Sequence, residues 1–320
     1  RMWALIYWPE QSVENRKPST LSGWSLPQTG AAIDDPVRRA RLMLAWDKSS
    51  PWLQAIGRAQ VNPNHVLYEL DGKPIFADGM AQGFLETTPE QIAAPLNPAQ
   101  RELIAQQYGS IACWANAQHP GLIGAANTVF VDNDLGYFPL TAKHGQLCFE
   151  KRSADQHVVA AECVDYFLPK YDLTRAQRTI AMNAAGVCWI VDDYRAARRH
   201  RFTWQLYLRP GGTLSDNMLN MKTSDGQELT LAWISVGPVE LDRIESFPER
   251  KMAWPDHGSE RLRFAMNGDR AQFVVCLLPW RAKNVKIRTA DTDSWRVEWD
   301  GGSDALELPE AAVEKRPEAP

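Results

Sequence analysis

Residues 174–208 read TRAQRTIAMNAAGVCWIVDDYRAARRHRFTWQLYL, and this stretch decides the fold class. It holds three β-patterned apolar runs, at 179–182, 187–191 and 202–208. A turn at 183–186 separates the first two runs, and an acidic pair followed by a basic stretch separates the second run from the third. Apolar runs of this length between turn residues are typical of strands, so the stretch predicts a β-sheet.

The same pattern of short apolar runs and turns continues through most of the chain. Asp71-Gly72 predicts a hairpin between strands at 65–70 and 73–77, and Asn267-Gly268 predicts a second hairpin. The other predicted strands lie at 38–46, 128–131, 146–150, 157–162, 229–236, 261–265, 272–280, 285–288 and 295–299. Sequential strands with short turns favour antiparallel sheets, and this many strands need two or more layers. The predicted fold is therefore mainly β, an antiparallel multi-stranded β-sandwich.

Two segments depart from the β pattern. Residues 2–8 (MWALIYW) look like the end of an amphipathic helix whose beginning is missing, so the chain is predicted to be a fragment or a processed product. Residues 79–114 contain several prolines and a helix-like piece at 99–108, which together predict a partly helical insertion between strands.

Composition and charge exclude several classes of protein. The 320 residues are 44% hydrophobic and 23% charged, as in globular proteins. A net charge of −4 argues against bulk electrostatic binding to nucleic acid or to an anionic membrane. No apolar run approaches the roughly 20 residues that span a bilayer. The five cysteines have no CxxC spacing, and those inside strand patterns are expected to be buried free thiols. One disulfide is possible, and its pairing is left open.

Three segments occur in an order and spacing that resemble one protein family. They are NHVLYELDGKPIFADG at 64–79, AANTVFVDNDLG at 125–136, and the run from Arg178 through Asp192 to HRFTWQLYL at 200–208. Over roughly residues 1–210 the chain resembles the C-terminal β-sandwich region of heparinase II/III-like polysaccharide lyases. Its first residues look like the end of the α/α toroid that precedes this sandwich in the family.

The resemblance implies cleavage of a uronate-containing polysaccharide by β-elimination. This chemistry needs a group that neutralises the uronate carboxylate, a base that removes the C5 proton and an acid that protonates the leaving oxygen. In the family a Tyr, an Asn and one His come mainly from the toroid, and another His comes from the sandwich. The implied partners are an acidic polysaccharide or oligosaccharide and the missing toroid, in a secreted or periplasmic protein that binds no nucleic acid and has no membrane span.

The sequence departs from the family pattern at the histidines. The H-x-H-x-D cluster should fall near 57–62, which here reads GRAQVN. Ala126 replaces the His of the HN pair, and Tyr207 replaces the last residue of W-x-L-H. Of the family's zinc ligands only Asp78 survives, with His65 as a displaced alternative. A zinc site needs three or four ligands, so no family-type zinc and no other cofactor is expected, although a divalent metal stays open.

The candidate site residues follow from the resemblance and from side-chain chemistry. The predicted catalytic residue is His65, and the predicted substrate-binding residues are Arg58, Gln60, Asp78, Asn127, Trp52 and Trp114. An arginine can clamp a uronate carboxylate, a glutamine can bond sugar hydroxyls, and a tryptophan can stack on a sugar ring. Each also has an ordinary structural alternative, such as a turn cap, a backbone hydrogen bond or core packing.

The basic stretch at 195–201 has two interpretations that stay open. It can line a groove for an anionic sugar, or it can be a solvated loop whose arginines pair with Asp192 and Asp193. Arg178, Asp192 and Trp204 are predicted to be structural residues of the sheet.

The predicted organisation has three parts. They are the end of a missing toroid plus a linker at 1–22, the β-sandwich at 23–240, and a smaller C-terminal β region with a disordered tail at 241–320. The leading functional prediction is the sandwich portion of a polysaccharide lyase. Two alternatives are a non-catalytic carbohydrate-binding or structural domain that lost the catalytic histidines, and a uronate C5-epimerase, because proton removal at C5 uses the same groups.

Overall fold

The computed structural model of the chain describes fifteen of its strands in one sheet and three in another. The described residues are 30–34, 39–43, 52–56, 65–70, 73–76, 97–99, 101–102, 127–132, 146–153, 155–164, 167, 169–208, 211–222, 226–234, 239–244, 259–291 and 293–308.

The strands are numbered in chain order. They are β1 Gly30–Asp34, β2 Arg39–Met43, β3 Trp52–Ile56, β4 His65–Leu70, β5 Lys73–Phe76, β6 Val129–Val131, β7 Gln146–Arg152, β8 Gln156–Glu162, β9 Leu173–Asn183, β10 Cys188–Leu208, β11 Gly212–Ser215, β12 Met218–Lys222, β13 Glu228–Trp233, β14 Val239–Ile244, β15 Ser259–Leu278, β16 Lys286–Asp291, β17 Ser294–Trp299 and β18 Gly302–Glu307. A short 3-10 helix lies at Pro169–Tyr171, and residues 98, 99, 101 and 102 are helical.

Two long antiparallel strands, β10 and β15, form the axis of the fold. They pair along their lengths, with a break in register between Arg195, opposite Arg270, and His200, opposite Gly268. Residues 196–199 of β10 therefore lie against Asp269 alone, which is a bulge, and bulges bend strands and increase their twist. Before the bulge β10 pairs with β9, and after it with β6 and β5. The two long strands thereby run through both layers of the sandwich.

The core lies between these two layers. Side chains alternate along a strand, so Ile190 and Tyr194 of β10 face the core, as do Phe202 and Trp204 beyond the bulge. The indole of Trp204 stacks on Phe264 of β15, with 4.5 Å between ring centroids. The mainly-β antiparallel sandwich predicted from the sequence is confirmed.

A second, smaller core holds the three-stranded sheet β16–β17–β18 against the outer face of β10 and β15. Trp189, Val191 and Cys276 pack there with Trp295 and Val297. The attachment also has a polar part, since the Trp189 indole N–H donates to Asp304 Oδ2 at 2.7 Å. No described helix is long and apolar enough to cross a membrane.

Two local predictions are wrong for one reason. Asn267-Gly268 is not a hairpin but lies inside β15, and the basic stretch at 195–201 is not a loop but lies inside β10. Both sit at the bulge, where the extra residues of β10 interrupt the alternation of apolar and polar side chains that marks a strand. The predicted hairpin at Asp71-Gly72 is confirmed, because β4 and β5 pair antiparallel across it.

The main sheet extends beyond the predicted domain boundary at 240. β14 spans that residue and β15 lies after it, and β15 pairs with β10 on both sides of the bulge. Six of the described strands, β1, β3, β11, β12, β14 and β18, were not predicted from the sequence. The helix remnant at 2–8, the linker and the tail after 308 lie outside the described residues.

Candidate functional site

The register of β3 and β4 decides where the predicted site residues lie along the chain. Ile56, the last residue of β3, is opposite His65, the first residue of β4. Residues 57–64, which include Arg58 and Gln60, thus connect these strands at the end where His65 lies. Trp52 is at the other end of β3, opposite Glu69, about 13 Å away at the usual rise per residue. For His65 and Trp52 the structure describes the backbone alone.

Four candidates cannot be placed. Arg58, Gln60, Asp78 and Trp114 lie outside the described residues, so their predicted contacts with substrate stay predictions. In sequence, Asp78 comes two residues after β5 ends at Phe76, and Phe76 is opposite Leu208 at the end of β10.

Asn127 is fully buried beside the end of β10. Its side-chain Oδ1 accepts a hydrogen bond from the backbone N–H of Tyr207 at 2.7 Å. Next to it, the N–H of Gln205 donates to the carbonyl of Thr128 at 2.9 Å. The structure thus brings together Asn127 and the position where Tyr207 replaces the expected histidine. The described bond of Asn127 is structural, and its contact with substrate stays a prediction.

A buried polar network fixes this edge of the sandwich. Arg178 and Asp192 are both fully buried, and the guanidinium donates to the carboxylate from Nε at 2.8 Å and from Nη2 at 2.7 Å. The indole N–H of Trp204 donates to the same carboxylate at 2.9 Å. Such a two-point arginine–carboxylate pair is geometrically specific as well as strong.

The network connects parts of the chain that are far apart in sequence. Arg178 also donates from Nη1 to the carbonyl oxygen of Asn127 at 2.6 Å. Arg178 of β9 therefore connects three parts of the chain. It binds Asp192 of β10 before the bulge, and the Asp192 carboxylate in turn binds Trp204 of β10 after the bulge. Arg178 also binds Asn127, just before β6 begins. Burial raises the pKa of Asp192, while the positive charge of Arg178 and the hydrogen bonds from Arg178 and Trp204 act in the opposite direction. These motif residues hold the scaffold together, as the sequence predicts.

An aspartate–histidine pair lies at the bulge. His200 Nδ1 is 2.8 Å from Asp132 Oδ2, and the imidazole is buried between Tyr171 and Phe202. Asp132 also accepts the backbone N–H of Arg201 at 2.9 Å. Burial raises the pKa of Asp132, but the bond from Arg201 and the interaction with His200 outweigh burial, and the pKa is lowered.

This pair orients the imidazole ring but gives it no access to a substrate. Its Nε2 atom is buried and has no hydrogen-bond partner in the described part of the chain. Sequence reasoning missed the pair, because 68 residues separate the two side chains and no local spacing marks them.

Two arginines of the basic stretch form ion pairs in the described structure, one of them with a predicted partner. Arg195 pairs with Asp193 at 2.8 Å, as one of the two interpretations expects, whereas Asp192 pairs with Arg178. Arg198 pairs with Asp172 at 3.0 Å.

The described donor set does not fit a zinc site. Across the described ranges no group of three His, Cys, Asp or Glu side chains is close enough to hold a metal ion. Ala126 and Tyr207 stand at positions where the resemblance implies histidine, and the remaining candidate ligand, Asp78, is not described. The expectation of no metal stays a prediction. The four described cysteines, Cys148, Cys163, Cys188 and Cys276, are free thiols.

The fold is similar to that of known polysaccharide lyases. The heparan sulfate lyase HepC from Pedobacter heparinus matches with a TM-score of 0.63 and 12% identity, over 96% of this chain and 47% of that one. Two structures of heparinase III match with TM-scores of 0.61 and 0.59, identities of 13% and 10%, and coverage of 88% and 90% of this chain. The chain spans slightly less than half the length of these structures. No protein-family model matches the chain, and no curated protein does.

Proposed function

We propose that this chain is the β-sandwich portion of a polysaccharide lyase that cleaves an acidic, uronate-containing polysaccharide by β-elimination. The observation that carries the proposal is the similarity of fold to a heparan sulfate lyase over 96% of the chain. The Arg178–Asp192–Trp204 network supports it, because it joins the separate sequence segments on which the resemblance rests.

In this proposal the sandwich forms one wall of the substrate cleft. Arg58 clamps the uronate carboxylate, which makes the C5 proton more acidic, and His65 acts in proton transfer. Gln60 and Asp78 bond sugar hydroxyls, while the fully buried Asn127 fixes the backbone at the end of β10. Trp52 and Trp114 stack on sugar rings. The remaining acid and base come from a toroid that this chain does not contain, and the protein is secreted or periplasmic.

The proposal is tested with the full-length protein that contains this chain. Heparan sulfate, chondroitin and alginate are offered in turn, and the ultraviolet absorbance of the unsaturated uronate product is followed. A rise on one polymer supports elimination, and no rise on any of them contradicts it. Deuterium uptake at C5 from heavy water without chain cleavage would identify an epimerase instead.

Arg58→Ala tests the predicted clamp. Losing a hydrogen-bonded charge costs about 1.5–3 kcal/mol, which corresponds to roughly 10- to 150-fold weaker substrate binding. The matched control is Arg296→Ala, because Arg296 is half exposed on the three-stranded sheet and pairs with Glu298. Equal binding by Arg58→Ala and the control would remove Arg58 from the site.

One observation favours the second candidate function, a non-catalytic carbohydrate-binding domain. At the position of an expected histidine, Tyr207 is nearly fully buried, and its described bond to Asn127 uses the backbone N–H. A protein that binds an acidic polysaccharide but never eliminates would support this candidate.

A further inference from the structure

Three arginines lie at one level of the sheet, on three neighbouring strands. Arg195 of β10 is directly opposite Arg175 of β9 on one side and Arg270 of β15 on the other. All three contact the nearly buried carboxylate of Asp193. The distances are 2.9 Å from Arg175 Nε, 2.8 Å from Arg195 Nη2 and 3.4 Å from Arg270 Nε. We call these three residues the arginine rung.

The rung carries more positive charge than its carboxylate offsets. Among the described residues, one other acidic side chain of the same face, that of Glu162, lies one strand further on, opposite Gln177. Its Oε1 already accepts three backbone N–H groups, from residues 163, 164 and 176. Even with Glu162 ionised, one positive charge remains in excess. Guanidinium groups held around one carboxylate repel each other, so an external anion would be stabilised here.

The rung also has unused hydrogen-bond donors. In the part of the chain that the structure describes, Arg270 contacts Asp193 through Nε alone, so its Nη groups are available. Arg195 uses Nε and Nη2, which leaves Nη1. Their side chains are 42% and 35% exposed. A partly exposed guanidinium fork suits the paired oxygens of a carboxylate or a sulfate.

Two further arginines extend the positive face beyond the bulge. His200 points into the core, so its neighbours Arg199 and Arg201 project outward by strand alternation, and both are exposed. Neither guanidinium has an acidic partner among the described residues, in contrast to Arg198. Asp269, exposed in the bulge, forms no ion pair with the rung in the described structure.

This face points away from the core that holds Asn127. Side chains alternate along β10, so Asp193 and Arg195 lie on the opposite face of the sheet from Asp192 and Tyr194, which face inward. The Asn127 carbonyl accepts a hydrogen bond from Arg178 on that inner side. A ligand bound to the rung on the outer face would therefore not contact Asn127.

We propose that the arginine rung, together with Arg199 and Arg201, is an anchoring site for the anionic groups of an acidic polysaccharide, separate from the residues proposed to act in elimination. The shared chemistry of its ligands is an oxyanion on a sugar, either carboxylate or sulfate. The choice of an acidic polysaccharide rests on the proposed function, whereas the anion site rests on the rung itself.

The test compares two double variants of the full-length protein. Arg195→Gln/Arg270→Gln removes the exposed part of the rung, while Arg175 still pairs with Asp193. The matched control Arg288→Gln/Arg296→Gln removes the same charge from exposed positions of the three-stranded sheet. Binding of heparan sulfate and of hyaluronan, which carries carboxylates but no sulfate, is measured at several salt concentrations.

The rung variant is expected to bind the favoured polymer at least tenfold more weakly, with a salt dependence shallower by about two charges. The control is expected to stay within about twofold of wild type. Unchanged binding by the rung variant, or an equal loss in the control, would overturn the proposal. Loss with heparan sulfate alone identifies sulfate as the ligand group, and loss with both polymers identifies carboxylate.

A second variant keeps the test decisive if the first fails to fold. Arg199→Gln/Arg201→Gln changes two exposed side chains, so its melting temperature should match that of wild type, and its binding should weaken about threefold or more. Duplex DNA serves as a polyanion without uronate. Equal affinity for DNA and the same loss in the variants would overturn the assignment to a saccharide.

Failure of this proposal can be told apart from failure of the proposed function. An active lyase carrying the Arg195 and Arg270 changes should cleave a tetrasaccharide at the wild-type rate, while KM rises on long polymer. If the protein catalyses elimination and both variants bind polysaccharide like wild type, only the anchoring-site proposal is contradicted. If polysaccharide binding depends on the rung but no elimination occurs, only the lyase proposal is contradicted.

Discussion

Replacing Asp192 by asparagine would remove one negative charge from the middle of the sandwich with almost no change in shape. Two donors of Arg178 and the indole N–H of Trp204 converge on its two carboxylate oxygens at 2.7–2.9 Å. An asparagine offers a single oxygen, and its NH2 group is itself a donor. At least one of the three donors would then face another N–H group, and the Arg178 charge would stay buried without a counter-ion.

The expected loss of stability follows from that uncompensated charge. Removing one partner of a buried ion pair costs about 3–5 kcal/mol, because the other charge keeps its desolvation penalty. Arg178 retains one acceptor, the carbonyl of Asn127 at 2.6 Å, which places the expected loss near the lower end, about 3 kcal/mol. Urea unfolding followed by tryptophan fluorescence measures it as a lower midpoint.

Two comparisons make the result interpretable. Asp155→Asn makes the same chemical change at an exposed residue without a described side-chain bond, and should stay within about 0.5 kcal/mol of wild type. Arg178→Met combined with Asp192→Asn should cost less than the sum of the two single changes, because no charge is left buried. A single Asp192→Asn variant within about 1 kcal/mol of wild type would refute the reasoning.

Three further predictions address other parts of the fold. Asp304→Ala removes the acceptor of the Trp189 indole, so the urea midpoint should fall by the equivalent of about 1–3 kcal/mol; an unchanged midpoint would show that apolar packing alone holds the three-stranded sheet. Gly211→Ala should destabilise the chain more than Gly226→Ala, because both have positive φ but only at Gly211 would a Cβ lie 2.4 Å from a backbone oxygen. Burial raises the pKa of Cys148 above 9.0, so its alkylation, mapped by mass spectrometry, should be slow at pH 7 and still accelerating beyond pH 9, since only the thiolate reacts.

Local patterning was sufficient to predict most strands and the structural residues. The hairpin at Asp71-Gly72 depends on a two-residue turn and the alternation beside it, both of which are visible in the sequence. Arg178, Asp192 and Trp204 were predicted to be structural because they belong to the segments that carry the family resemblance. The structure shows in addition that these three side chains form one hydrogen-bond network.

The pairing of strands that are far apart in sequence could not be predicted from local sequence. Asn267-Gly268 has the composition of a hairpin turn, yet β15 continues through it because β10 is hydrogen-bonded on both sides of the bulge. The arginine rung also depends on long-range strand pairing. Its members come from three strands, and only the register places Arg175 and Arg270 opposite Arg195. A residue's neighbours across a sheet depend on how the strands align, which local sequence does not specify.

The candidate site was predictable only in part, for a related reason. The pairing of Ile56 with His65 follows from the β3–β4 register, and it connects the segment with Arg58 and Gln60 to the strand end at His65. The contact between Asn127 and Tyr207 joins residues 80 apart, and no spacing rule predicts it.

The structure also explains how a chain can share the fold of lyases without the histidines that the resemblance implies. The buried network constrains side chains: a guanidinium, a carboxylate and an indole must be present at 178, 192 and 204, or donors and charges are left unpaired. Position 207 is constrained differently, because its bond to Asn127 uses a backbone N–H that every residue except proline supplies. The fold therefore depends on the network and not on a histidine at 207. The resemblance rests on residues that hold the sandwich together, so the proposed activity has to be tested at residues 57–78, where Arg58 and His65 lie.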